Sequence, residues 1–335
     1  MKKCYAWLLC AGLALPALAA RRTVDDAGRS VILPDSIQRI AEGWYAHHSL
    51  LVALGAGGQI IATVNREKDR PWMSRVTPEL KSAVHAQGAA FSAEALLARH
   101  ADVVFVARGN PQAEGYRQAG LPVVALSFTD FPGLMRDMTT TAQVLGTPRA
   151  RERAADYNRY LSATLRQVEQ KTAGLAENSR PRVLHIQSLN PLKVAGSGTL
   201  IDTWIRLAGG RNAAAGMTGN MKEVSPEKVL LWQPDVIILG EGCGSLDHSA
   251  YAGLFSGLSA VKQHRVFANP AGVFPWDRYG VESALQVSWA AQVLHPALFA
   301  DVDMVKMTRD FYQRFFDYPL TAAQAQRILH ALPPQ

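Results

Sequence analysis

Residues 92–106 read Ser-Ala-Glu-Ala-Leu-Leu-Ala-Arg-His-Ala-Asp-Val-Val-Phe-Val, and residues 225–239 read Ser-Pro-Glu-Lys-Val-Leu-Leu-Trp-Gln-Pro-Asp-Val-Ile-Ile-Leu. The two stretches follow one plan. A serine suited to cap a helix precedes an acid in the first turn (Glu94, Glu227), where the helix dipole favours negative charge. A short helix follows, then a tight break ending in aspartate (Asp102, Asp235), then a wholly apolar strand. A strand that is apolar at every position is buried on both faces, as in a parallel sheet covered by helices. The same unit used twice predicts two similar α/β lobes.

The surrounding sequence extends each lobe. Arg22–Leu33 reads as a hairpin turned at Asp26-Ala27-Gly28, and Arg39-Ile40-Ala41 as a strand. His48–Leu54 has helical spacing and ends at Gly55, a plausible C-cap. Gln59–Val64 and Leu121–Leu126 are further strands. From Phe131 to about Glu177 the strand signal stops and two helices are expected, the longer one running from Pro148 to about Ala176. Its apolar positions Ala155, Tyr157, Tyr160, Leu161, Leu165 and Val168 recur at helical spacing, and Pro148 suits the first turn. After Pro181 the alternation resumes with strands at 182–186, 235–239 and 266–268. Helices are expected at 201–207, 225–231, 282–294 and 307–316. The predicted fold is therefore α/β: two Rossmann-like lobes joined by one long α-helix, with a ligand crevice between the lobes. Residues 21–130 form the N-terminal lobe, 131–177 the helical linker and 178–335 the C-terminal lobe.

The first twenty residues are set apart. Met1-Lys2-Lys3, an apolar run to about Leu15 and Pro16-Ala17-Leu18-Ala19-Ala20 make a basic region, a short hydrophobic core and an Ala-x-Ala site. Residues 1–20 read as a Sec-type signal peptide cut near Ala19 or Ala20, which directs the protein to the periplasm. The run is shorter than the roughly 20 residues a spanning helix needs, and no later stretch is long and apolar enough, so the chain is not membrane-spanning. Of the three cysteines, Cys4 and Cys10 leave with this peptide, and Cys243 alone cannot form an internal disulfide. The formal charge of +7 becomes +5 without Lys2 and Lys3. The cations are scattered, with no polybasic run and no nucleic-acid motif, so a small anionic ligand, or simply a basic surface, accounts for them better than nucleic acid.

The paired Ser-x-Glu units, Leu207-Ala208-Gly209-Gly210-Arg211-Asn212, and Gly280-Val281-Glu282-Ser283 running to His295-Pro296 occur in a telling order. In that order and spacing the chain resembles the helical-backbone class of periplasmic substrate-binding proteins, which serve importers of ferric siderophores, haem, cobalamin and related metal complexes. The resemblance covers essentially the whole chain after residue 20. It implies a monomer that binds a metal chelate between its lobes and delivers it to an ABC permease, and through the permease to its ATPase. It implies no chemistry and no resident cofactor. It also implies that Glu94 and Glu227 dock into the permease, with Glu223 as a rival in the second lobe.

Ligands of such folds sit outside the strand C-termini, so the loops there supply the candidate contacts. After the first strand come Trp44, Tyr45, His47 and His48, aromatic and imidazole groups suited to a flat or metal-bearing ligand. Either His47 or His48 could bind metal, or both could simply open the following helix. Arg66, Arg70 and Trp72 follow the second strand and suit an anionic chelate, or else form a solvated loop of mixed charge. Arg108 follows the Val103–Val106 strand and is the leading N-lobe contact. In the second lobe the contacts are Ser188, Asn190, Trp276, Arg278 and Tyr279, with the glycine-rich segment 241–247 as a flexible rim. The expected ligand is an anionic iron–siderophore complex. A nickel or cobalt chelate, haem, a corrinoid or an oxyanion such as molybdate are alternatives within the class. No GxSxG, HExxH, Walker or CxxC pattern occurs, and Gly55-Ala56-Gly57-Gly58 precedes a strand instead of a helix, which leaves an envelope metal-dependent hydrolase as the remote alternative.

Overall fold

The computed structural model describes residues 21–86, 88 and 90–335. The signal-peptide segment lies outside the described residues. The chain opens with the expected hairpin, β1 (Arg21–Val24) against β2 (Ser30–Leu33). The N-lobe then adds β3 (Ile40–Glu42), α1 (His47–Ala53), β4 (Ile60–Thr63), α2 (Pro71–Val76), β5 (Val84–His85), α3 (Ala93–Ala98), β6 (Val103–Ala107), α4 (Ala113–Gln118) and β7 (Val123–Leu126). Its sheet has the order β5-β4-β3-β6-β7, and every pair in it is parallel. All four residues of β7 and the first four of β6 are buried, as their unbroken apolar sequence requires.

Helices α5 (Phe131–Leu145) and α6 (Pro148–Thr172) form the linker. Gly146 ends α5 in the left-handed conformation, and the Thr147 hydroxyl caps α6 by accepting from Ala150 N–H at 3.1 Å. Ala150, Ala154, Tyr157, Leu161, Thr164, Val168 and Thr172 make the buried stripe of this 25-residue helix. Tyr157 donates across it to the Val281 carbonyl at 2.7 Å.

The C-lobe comprises β8 (Arg182–Leu189), β9 (Leu192–Val194), α7 (Leu200–Leu207), β10 (Arg211–Asn212), β11 (Lys222–Glu223), α8 (Pro226–Trp232), β12 (Val236–Leu239), α9 (Ala252–Phe255), α10 (Ser259–Lys262), β13 (Val266–Ala268), α11 (Ser283–Leu294), α12 (Met304–Phe316) and α13 (Ala322–Leu329). Here the sheet is mixed. β10, β12 and β13 run parallel to their neighbours, but β9 folds back antiparallel on β8, and β11 runs antiparallel to β9. A two-residue turn at Asn190-Pro191 makes the reversal, because the chain there is too short for a crossover helix.

The repeated unit folds as the sequence proposes, with one difference. Asp102 Oδ2 accepts from the backbone N–H groups of Gln38 and Arg39, and Asp235 Oδ2 accepts from that of Arg182. Each aspartate thus ties the start of a core strand to its neighbour, in the same way in both lobes. Ser92 caps α3 through Ala95 N–H at 3.2 Å. Ser225 makes no such backbone cap, and its hydroxyl serves the Glu227 carboxylate alone.

One apolar core crosses the lobes, taking in Ile40, Leu50 and Phe105 from the first, Tyr157 and Leu161 from α6, and Trp204, Phe274 and Phe311 from the second. The C-terminal part of the chain returns to the linker and to the N-lobe: Arg153 on α6 donates to Phe315 O at 2.6 Å, and Trp72 Nε1 to Leu332 O at 2.9 Å. No helix of the described residues is long and apolar enough to cross a membrane.

Candidate functional site

The strand C-termini of the two lobes face a shared crevice. On the N-lobe side, β3 ends in Glu42, and Gly43 lies flat against β6. A Cβ there would come 3.0 Å from the Phe105 carbonyl, so the close approach requires glycine. The Glu42 carboxylate accepts from Trp44 N–H at 2.7 Å, and Asn65 Nδ2 donates to Tyr45 O at 2.9 Å. These bonds fix the Trp44-Tyr45 turn. Trp44 packs on Phe128 at 5.7 Å between centroids and meets Tyr279 of the opposite lobe at 6.5 Å. Tyr45 is exposed at the mouth.

The C-lobe wall is built from Gln187 on β8, Gly240 and Glu241 after β12, Asn220, and the loop carrying Asp277, Arg278 and Tyr279. Arg70 of the N-lobe reaches over the Phe274 ring at 5.0 Å and donates to Glu241 Oε2 at 2.6 Å, spanning the crevice. Burial raises the Glu241 pKa above the ordinary carboxylate value, although Arg70 and Arg278 both act to lower it. Beneath them His185 Nε2 meets Asp277 Oδ2 at 2.7 Å, with both side chains fully buried. Burial alone would raise the Asp277 pKa, but the bond to His185 and the charge of Arg278 outweigh it and hold the carboxyl below its usual range.

Both walls hold unused hydrogen-bonding capacity. Asn65 Oδ1 and Arg70 Nε on one side, and Gln187 Nε2, Asn220 Oδ1 and Arg278 Nε on the other, are buried with no hydrogen-bond partner among the described residues. Buried polar atoms are usually paired, which makes these five candidate contacts for a polar ligand.

Of the residues singled out from sequence, Trp44, Tyr45, Arg70, Arg278 and Tyr279 come together here. Trp72, Trp276, His47 and His48 do not join them. Trp276 is fully buried and donates to Glu282, and Trp72 is buried against the C-terminal segment. Both fill the interior instead of facing a ligand. His47 and His48 are also wholly buried. His47 is held between Glu42 at 2.6 Å and Thr141 at 2.9 Å, and His48 meets Thr63 at 3.0 Å. Burial and the neighbouring His47 charge lower the His48 pKa to about 3. Among the described residues no group of three His, Cys, Asp or Glu side chains is placed to hold a metal. Arg108 is exposed and reaches toward Asp26 O in the β1–β2 turn at 3.4 Å, and Arg66 reaches toward Ala86 O at 3.3 Å. Ser188 and Asn190 shape the β8–β9 turn, where the serine hydroxyl accepts from Asn190 N–H.

Gln187 and Asn220 were missed by the sequence reading. For Gln187 a signal existed, since it stands with His185 and Ser188 among the apolar residues of the strand Val183–Leu189. Glu94 and Glu227 are exposed in the first turns of α3 and α8.

Residues 44–272 match the periplasmic binding protein family. The chain is 29% identical to the molybdate-binding protein MolA of Haemophilus influenzae over 345 aligned positions, covering 92% of this chain and 94% of the relative. Among solved structures, a periplasmic solute binding protein from Veillonella parvula superposes with a TM-score of 0.80 at 25% identity, covering 93% of this chain and 97% of the other. MolA bound to molybdate superposes with a TM-score of 0.77 at 25% identity, covering 90% and 99%. With the family match spanning most of the chain, and its two lobes closing on a polar crevice around a long connecting helix, the protein belongs to the periplasmic binding protein family.

Proposed function

We propose that this protein captures an anion in the periplasm and delivers it, chemically unchanged, to the permease of an ABC importer. The observation that carries this reading is the pair of partly buried guanidinium groups, Arg70 and Arg278, one from each lobe at the same crevice. Guanidinium is the side chain best matched to oxyanions, because its rigid fork donates several hydrogen bonds at once. The unpartnered atoms of Asn65, Gln187 and Asn220 add polar contacts around it.

The favoured ligand is a compact oxyanion of the molybdate type. The walls already meet through Arg70 and Glu241 at 2.6 Å and through Trp44 and Tyr279 at 6.5 Å, so a small ion can touch both lobes without forcing them far apart. The similarity to a molybdate-binding protein along 92% of the chain supports the same choice. An anionic metal chelate such as an iron–siderophore complex is the second reading, favoured by the aromatic faces of Trp44, Tyr45 and Tyr279 at the mouth.

Calorimetric titration with molybdate and with a ferric siderophore separates the two readings. Arg70→Ala and Arg278→Ala should each weaken molybdate binding by about tenfold or more, the scale of one charge-assisted hydrogen bond. Full affinity in both variants would remove the arginines from the site. Saturable binding of the ferric chelate alone would establish the second reading. Glu94 and Glu227 are proposed as the contacts to the permease, one on each lobe.

A further inference from the structure

We infer that Glu241 is a built-in competitor for the anion site: its carboxylate occupies the Arg70 guanidinium across the crevice until an arriving anion displaces it, and so sets how strongly any anion binds. The inference rests on the anion-binding reading above and adds a residue that opposes binding.

Three observations support it. Glu241 Oε2 lies 2.6 Å from Arg70 Nη1, a direct charge-assisted contact from one lobe to the other. Arg278 acts on the same carboxylate, and Gly240 keeps Arg278 near: a Cβ at that position would come 3.3 Å from Arg278 Nη2 and 3.2 Å from Asp277 Oδ2. The carboxylate therefore takes up the Arg70 guanidinium that a bound oxyanion would use, beside an Arg278 whose own contact is Asp277 at 3.7 Å.

The second observation is electrostatic. Burial costs this carboxylate more than the two arginines return, which is why its proton affinity is raised. A charge held at such a cost is one that a better-matched anion can replace. The third is mechanical. Gly242 and Gly244 follow at φ +74° and +81°, conformations that side chains with a Cβ rarely adopt, and both have open space around them. The turn carrying Glu241 is thus built on glycine backbone with nothing packed over those two positions.

A pure competitor has a distinctive signature. Its removal strengthens every anion by the same factor, because the cost of displacing it does not depend on which anion arrives. A residue that contacts the ligand would instead alter the ratio between anions. The test is calorimetric titration of the wild type, Glu241→Gln and Glu241→Ala with molybdate and with sulfate, with thermal unfolding as the check on folding.

The expected result is that both variants bind both anions at least tenfold more tightly while the molybdate-to-sulfate ratio stays that of the wild type. Binding that appears only in the variants supports the inference equally. Unchanged or weaker binding in the variants, or a shifted ratio, beside a wild type that binds, overturns the competitor role and leaves the anion site standing. If neither the wild type nor either folded variant binds any oxyanion, both the inference and the anion reading fall.

Discussion

The chemistry of the crevice rests on a few side chains whose surroundings fix their charge. Asp277 is the clearest. It is fully buried, accepts from His185 at 2.7 Å, and precedes Arg278, whose guanidinium lies 3.7 Å from its second oxygen. Its carboxyl is held below the usual range, so the sign is that of a depressed acid. The stability it contributes is present above the ordinary carboxylate pKa and is lost as pH falls through the lower folded value. Asp277→Asn keeps the shape but loses the charge. Urea unfolding at neutral pH should show a loss of roughly 1.5–3 kcal/mol, the scale of hydrogen bonds to charged groups, and the gap from the wild type should narrow on acidification. Equal stability at neutral pH would mean that the pair contributes nothing net. Residues of this kind also mark the limit of sequence reading. Position after a strand puts Trp44, Arg70, Arg278 and Tyr279 at the crevice. It says nothing about which neighbours turn inward. Trp72 is drawn in by Leu332 and Trp276 by Glu282, and the first of these partners lies far along the chain.

At the scale of elements, the loop between β13 and α11 shows how a helix start can hold a binding surface. Glu282 precedes α11 and is fully buried. Its carboxylate accepts from Val273 N–H, Phe274 N–H, Trp276 Nε1–H and the Tyr312 hydroxyl. Those bonds fold the segment that presents Arg278 and Tyr279. Burial nevertheless raises the Glu282 pKa from 4.5 to about 7, outweighing the four donors. For a raised acid the contribution to stability is full below pH 4.5 and is lost as pH rises through about 7. At about 1.4 kcal/mol per unit, that difference amounts to roughly 3 kcal/mol. Glu282→Gln cannot titrate. Denaturant unfolding from pH 4 to 8 should therefore show the wild type losing about that much relative to the variant on going up in pH, whereas parallel curves would exclude Glu282 as the titrating group. Elements of this length were largely legible. The repeated helix–strand unit, the first hairpin and α6 all carry strong local periodicity. The antiparallel strands β9 and β11 and the short α9 and α10 do not. They are two to four residues long, and their conformation is decided by pairing and packing with partners elsewhere.

For the whole molecule, the repetition visible in sequence becomes a symmetry of surface as well as of core. Helices α3 and α8 each precede a central strand, so each begins at the strand C-terminal edge of its lobe, the edge that borders the crevice. Glu94 and Glu227 stand in those first turns, exposed. Glu94 accepts from the Ser92 hydroxyl at 2.6 Å, which holds its carboxyl below the ordinary range. Glu227 is lowered by its own backbone N–H and by Ser225. Each lobe thus presents a negative charge on a helix packed into that lobe's own core, through Leu96 of α3 in the first and Val229 of α8 in the second. Such a pair suits recognition by two cationic patches on a membrane partner, since paired charges guide encounter and orientation more than they add affinity. Glu94→Ala combined with Glu227→Ala should leave molybdate affinity within twofold of the wild type in calorimetry, because neither side chain enters the crevice. The same double variant should abolish uptake by cells that carry the permease, while each single variant lowers it. Normal uptake with the double variant would place the docking contacts elsewhere on that edge, with Glu223 on β11 the next residue to replace. Lost affinity would mean that these helices shape the ligand site itself.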